Sequence, residues 1–159
     1  MIEKINDKYM RLAIRQARKN IRSLSGGPFG ACIVKGDGVL SVARNMVLVR
    51  DATCHAEINA IRNDSRKIGS FDLSGCVIYS TTEPCPMCFS AIHWAGIELI
   101  VYGTTIDDVK KLGFNELVIS NDVMKDLGNS KIKIVSGFLK EECASLLKEW
   151  DSLEEKIFY

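Results

Sequence analysis

Two short stretches constrain this chain more than any other: Cys54-His55-Ala56-Glu57 and Glu83-Pro84-Cys85-Pro86-Met87-Cys88. His55, Cys85 and Cys88 offer one imidazole and two thiolates, a donor set that suits zinc when a fourth position is left to water. Cys85 and Cys88 are three residues apart, so on a helical turn their sulfurs face the same way. Pro84 precedes that turn and Pro86 falls just inside it, where a missing N–H costs nothing. The helix then begins at the metal, and its positive end favours thiolate over thiol. Ala56-Glu57-Ile58-Asn59-Ala60-Ile61 is a good helix former with Ile58 and Ile61 on one side. A second helix is therefore expected to start beside His55, and the fold must bring two helix starts to one ion.

Zinc held by two thiolates and a neutral imidazole has no net formal charge, so it acidifies water less than a three-histidine site does. A carboxylate must then accept the proton and hand it on. Glu57 lies two residues from His55, does not share its direction, and is expected to face the substrate as a proton shuttle. Two plainer readings stand beside this one. Glu57 can be a solvated helix-start carboxylate, and Cys54 can complete a closed, purely structural zinc shell. Against the second, adjacent side chains seldom reach one tetrahedral ion, and structural sites usually space their ligand pairs by two to four residues.

The 159 residues suffice for one domain, with a core drawn from 47% apolar content. Two of the six cysteines go to the metal, and Cys32, Cys54, Cys76 and Cys143 show no pairing pattern. Nothing at the start resembles a signal peptide and no apolar run approaches membrane length, so a reducing, cytoplasmic setting is expected. With 21 basic and 20 acidic residues there is no global attraction to nucleic acid.

Residues 6–24 read as an amphipathic helix, with Met10, Ala13, Ile14, Ala17, Ile21 and Leu24 on one face. Arg11, Arg15, Arg18 and Arg22 form a stripe beside it, read as a solvated face in preference to a phosphate or RNA contact. Ser25-Gly26-Gly27-Pro28 turns the chain into strands at 31–35 and 39–43, joined by Gly36-Asp37-Gly38. Asn45 follows in a loop, where it is either a ring-edge contact or a turn former. A strand at 77–81 delivers Pro84-Cys85 to the metal. A helix at about 86–95 and a strand at 99–102 follow, which implies a parallel crossover. Residues 103–115 read as loop or short helix, 125–131 as a polar stretch, and 132–135 as a fifth strand. A last helix begins at Leu139 with Cys143, Leu146, Leu147, Trp150 and Leu153 on one face. Together these predict a three-layer α/β/α sandwich with a five-stranded mixed sheet and the site at the carboxyl ends of its strands. His93 points away from the cysteine face and is expected to pack or to lie at the surface.

His-x-Glu followed by Pro-Cys-x-x-Cys, on this order of elements, resembles the cytidine deaminase-like superfamily over nearly the whole chain. Gly26-Gly27-Pro28-Phe29-Gly30-Ala31, Leu112-Gly113-Phe114-Asn115-Glu116 and the ending from Trp150 to Tyr159 are more similar to bacterial guanine deaminases than to tRNA adenosine deaminases. The resemblance implies a hydrolase that deaminates a free purine base, guanine to xanthine and ammonia, with one Zn2+ per subunit. Glu57 would then protonate the ring nitrogen and later the departing amine. By position, Phe29 would stack on the base, Asn45 would hydrogen-bond it, Glu116 would contact it and help move protons, and Ala56 and Tyr159 would also meet it. The resemblance also implies a homodimer in which the segment 139–159 crosses to the partner, with Phe158 and Tyr159 as a lid. The plainer reading of that tail is a helix end packed on its own domain or frayed.

Two departures qualify the match. Glu116 stands where the family has Asp, and the loop from Asn45 to His55 is one residue shorter, with Val47-Leu48-Val49-Arg50 in place of a polar segment. The alternatives are adenosine-to-inosine editing of tRNA, deamination of cytosine or another aminated heterocycle, and a non-catalytic zinc-stabilised module. Against RNA, residues 139–159 hold three Lys and six Asp or Glu, the wrong charge balance for an RNA-binding tail.

Overall fold

The computed structural model describes residues 5–159. Among them are six α-helices, α1 (Asp7–Ser23), α2 (Ala56–Ile68), α3 (Pro86–Trp94), α4 (Ile106–Leu112), α5 (Asn121–Leu127) and α6 (Lys140–Asp151), and a short 3-10 turn, Val47–Val49. Five strands, β1 (Gly30–Lys35), β2 (Gly38–Arg44), β3 (Cys76–Thr82), β4 (Leu99–Thr104) and β5 (Lys133–Val135), form one sheet in the order β2-β1-β3-β4-β5. β1 runs antiparallel to β2 and β3, while β3, β4 and β5 are parallel, so the sheet is mixed as the element order predicts.

Strand alternation divides the core in two. Ala31, Ile33, Ile78 and Ile100 pack with Ala56 and Ala60 of α2 and Phe89 and Ile92 of α3. Cys32, Val34, Val77 and Val101 face the other way, onto Met10, Ala13 and Ala17 of α1 and Cys143 and Leu146 of α6. Three layers result. β3 is buried along all seven residues, Ser80, Thr81 and Thr82 included, and it carries the chain straight to Cys85. Gly36 takes φ 58° in the two-residue turn that pairs Lys35 with Gly38, a conformation open to glycine without steric cost.

Three expectations need correction. The polar stretch at 125–131 overlaps a helix, α5, whose N-cap Ser120 accepts a hydrogen bond from the Val123 amide. Leu139 does not extend the last helix; it sits at the N-cap in a left-handed conformation, φ 49°. Leu153 lies beyond that helix's end. The arginine stripe on α1 is not simply solvated: Arg11 and Arg18 each grip a glutamate of α6, Glu142 and Glu149, through paired bonds of 3.2 and 2.9 Å. The acidity of α6 thus answers the basicity of α1. These half-exposed pairs contribute about 0–1 kcal/mol each, enough to favour one alignment of the helices without driving their packing. Among the described residues no helix is long and apolar enough to cross a membrane.

Candidate active site

His55 and Cys85 occupy equivalent positions, each the last extended residue before a helix, at ψ 157° ahead of α2 and ψ 167° ahead of α3. Pro86 is the first residue of α3, where its ring presets the helical φ, and Cys88 follows in the first turn, fully buried. The ligand atoms of His55, Cys85 and Cys88 lie within 4.8 Å of one another, and among the described residues no fourth histidine, cysteine or carboxylate joins them. Cys54 turns away: its thiol donates to Asp51 at 3.3 Å, and Arg62 approaches the sulfur at 3.8 Å.

The electrostatics of the three donors suit a cation. A hydrogen bond from Cys88, with support from His55, overcomes burial and brings the Cys85 thiol down to about 4. Burial pulls His55 down, but its hydrogen bond to Cys85 and that residue's charge more than reverse this, leaving it at about 9. His55 Nδ1 stands 3.6 Å from Cys85 Sγ. Burial, then Cys85 and Glu57, push Cys88 well above the usual thiol value. A metal ion binds the thiolate and neutral imidazole forms, so its uptake at these three donors displaces whatever protons they carry. Two sulfurs and a ring nitrogen around a common point form a set that zinc accepts with one position left for water.

Glu57, on the first turn of α2, is 6% exposed. Its Oε1 accepts a 2.7 Å hydrogen bond from Ser80 Oγ, and its Oε2 lies 3.4 Å from Cys88 Sγ, toward the metal ligands. Burial raises its pKa against the opposing pull of His55 and Ser80. Glu83 was quoted in the motif without a role, yet both its oxygens are used. One accepts the Ile106 amide at 3.1 Å and the other the Asn121 amide at 2.8 Å, and Asn121 Nδ2 donates to the Pro84 carbonyl at 2.6 Å. One carboxylate thereby ties the starts of α4 and α5 to the cysteine turn. A run of Ser and Thr in a strand otherwise buried was the signal for Ser80. For Glu83 no local signal exists.

Phe29, Asn45, His55, Glu57, Cys85 and Glu116 line one pocket, together with Thr82, Glu83, Ile106 and Val109. The space between these side chains is about 20 Å³, roughly one water's worth. Phe29 meets Phe114 edge-on at 5.2 Å. Asn45 is 1% exposed, and its Oδ1 accepts from the Val47 amide at 3.0 Å and from Tyr159 Oη at 2.7 Å. Its amide nitrogen is left as the group able to meet a ligand. Glu116 is half-buried, and burial, then the negative Cys85, raises its carboxyl pKa.

Ala56 and Tyr159 stand outside this lining. Ala56 is buried in the core beneath α2. Tyr159 is bonded to Asn45: its hydroxyl accepts from the Gly27 amide at 2.7 Å while donating to Asn45 Oδ1. Its own carbonyl accepts from Asn115, and Phe158 and Tyr159 both pack edge-on against Phe114, so the tail closes over its own chain. His93 faces Ser130 at 3.0 Å, away from the metal ligands.

A buried carboxylate beside a three-donor zinc centre, at the strand ends of an α/β/α sandwich, is the equipment of a hydrolase that removes amino groups from aromatic rings. A model of the cytidine and deoxycytidylate deaminase zinc-binding region matches residues 3–104, and the chain belongs to that family of zinc-dependent deaminases. It is 31% identical over 155 residues to the guanine deaminase of Bacillus subtilis, covering 97% of this chain and 99% of that one. It is 33% identical over 124 residues to a tRNA-specific adenosine deaminase of Buchnera aphidicola, covering 77% and 79%. A solved guanine deaminase from Nitrosomonas europaea superposes with a TM-score of 0.85 at 28% identity, over 96% of this chain and 88% of that one. The resemblance read from the two motifs and the fold class expected from the element order both hold.

Proposed function

We propose that the enzyme deaminates a free purine base, with guanine as its substrate and xanthine and ammonia as its products. The observation that carries this reading is Asn45: its oxygen is consumed by Val47 and Tyr159, which leaves an amide donor for a ring acceptor in the pocket it shares with His55, Glu57 and Cys85. Similarity over 97% of the chain to a guanine deaminase of nearly the same length supports the choice of base.

Zinc held by His55, Cys85 and Cys88 would supply acidified water for attack at the amino-bearing carbon. Glu57 does the proton work. Ser80 fixes one of its oxygens while the other faces the ligand side, and burial raises its pKa so that it holds a proton long enough to deliver it. It passes that proton to the ring nitrogen and later serves the departing amine. Glu116, on the same pocket wall and also shifted upward, gives a second carboxyl for the ring edge. Phe29 offers an aromatic face for stacking.

The test is ammonia release across guanine, adenine, cytosine, their nucleosides and a tRNA anticodon stem-loop. Guanine is expected to give the highest kcat/KM. Turnover of the stem-loop alone removes the free-base reading. Editing of tRNA is the weaker alternative, because Arg11 and Arg18 of the α1 stripe are committed to glutamates of α6.

We propose further that the chain is a single deaminase domain acting as a homodimer in the cytoplasm. Six free thiols suit a reducing compartment. Exposed Trp94, Leu117, Val118 and Leu127 offer apolar surface to a second copy. The tail makes its contacts within one chain, and an exchange of residues 139–159 between copies would preserve them. Light scattering is expected to give twice the monomer mass.

A further inference from the structure

On the outer side of the loop leading into His55, the chain gathers four arginines that are scattered in sequence. Arg44 comes from the end of β2, Arg50 from the turn after Val47–Val49, and Arg62 and Arg66 from α2; all line one cleft of about 510 Å³. None of them makes an ion pair among the described residues, whereas Arg11 and Arg18 on α1 are each matched to a glutamate. The cleft's one acidic side chain, Asp51, is bent back into its own loop. Its Oδ1 accepts from the Thr53 amide at 2.8 Å and the Thr53 hydroxyl at 2.6 Å, and its Oδ2 accepts from the Cys54 thiol. Arg62 hydrogen-bonds to neutral groups, Thr53 Oγ1 at 3.3 Å and Cys54 Sγ, and feels the Asp51 carboxylate without pairing with it. Arg44 Nε is buried without a hydrogen-bond partner, an expensive state for a charged donor.

A solvated basic face keeps its guanidiniums apart and in water. Here they converge from three elements on a concave volume, which focuses their field inward. Guanidinium forks match phosphate oxygens two at a time. The volume exceeds what a bare phosphate fills and lies in the range of small-molecule sites. We propose that this cleft binds a phosphate-bearing small molecule of nucleotide size, outside the deamination pocket. The shared recognition element is the phosphate dianion, and the remaining volume takes the body that carries it.

Isothermal titration of the zinc-loaded enzyme with inorganic phosphate, ribose 5-phosphate and guanosine 5′-monophosphate tests this. Saturable binding is expected for the nucleotide, weakened by about tenfold or more in an Arg62→Ala/Arg66→Ala variant and by added salt, with turnover of free base in the absence of phosphate unchanged. Equal affinity for all three probes assigns the site to phosphate alone; at least about tenfold preference for the nucleotide assigns it to the larger ligand. An Arg50→Ala variant, altered in an exposed turn, gives an independent check on the same loss. Three results overturn the proposal. They are no saturable heat from any probe up to about 10 mM, binding undiminished in both arginine variants, and arginine-dependent binding of single-stranded RNA without binding of any of the three probes.

Discussion

The proposed shuttle role asks Glu57 to be buried and still exchange protons, and the residues touching it suit both demands. Ser80 holds one oxygen in place while burial lifts the proton affinity of the carboxyl. Replacing Glu57 with Gln keeps the shape and removes the proton traffic. We expect one zinc per chain retained, by elemental analysis, with ammonia release slowed by about 10²–10⁴-fold; a competent variant would sink the shuttle role. Asp64 shows the opposite use of burial. Its Oδ2 accepts from Ser41 at 2.9 Å while its Oδ1 is buried without a partner, and desolvation raises its folded pKa above 3.8. Because the folded value lies above the unfolded one, this group weakens the fold as pH rises from 3.8 through the folded value, and the loss levels off beyond it. Asp64→Asn removes that loss. The Tm advantage of the variant over the parent should therefore grow between pH 4 and neutrality, and an advantage that shrinks with pH contradicts the account.

Among the elements, α4 and α5 depend on a side chain far away in sequence. Glu83 binds the Ile106 and Asn121 amides, so Glu83→Ala leaves two buried donors unpaired at a cost of about 2 to 6 kcal/mol, measurable by urea unfolding. The same dependence explains why α5 is hard to read from sequence. Asn121-Asp122-Val123-Met124-Lys125 has weak helical preference, and much of what fixes its start comes from a strand end 38 residues earlier. α3, by contrast, announces itself locally through Pro86 and the spacing of Cys85 and Cys88. The tail acts on the pocket through one hydroxyl. Tyr159→Phe frees Asn45 Oδ1 and the Gly27 amide, and is expected to raise KM for the base by about fivefold to tenfold, the worth of one hydrogen bond, with a smaller change in kcat.

For the whole molecule, what was legible in the sequence is what short-range spacing encodes: the alternating strands, the amphipathic α1 and α6, and the metal ligands. Features assembled from distant residues were not legible. Nothing near Arg44 predicts Arg62 and Arg66 as neighbours, and nothing near Arg18 names Glu149. Zinc held by His55, Cys85 and Cys88 would join the starts of α2 and α3, so its removal should be felt globally. Chelation is expected to lower Tm by about 5 °C or more, and acidification should do the same as the ligands take up protons. The pairing of α1 with α6 has an order in time as well as a place. During synthesis both cysteines and His55 leave the ribosome before residues 140–159 exist. Until α6 and the tail arrive, Cys143 and Leu146 are missing from one face of the sheet and Asn45 lacks the hydrogen bond from Tyr159. A chain cut short before α6 therefore lacks part of the core on that face of the sheet as well as the hydroxyl that Asn45 accepts.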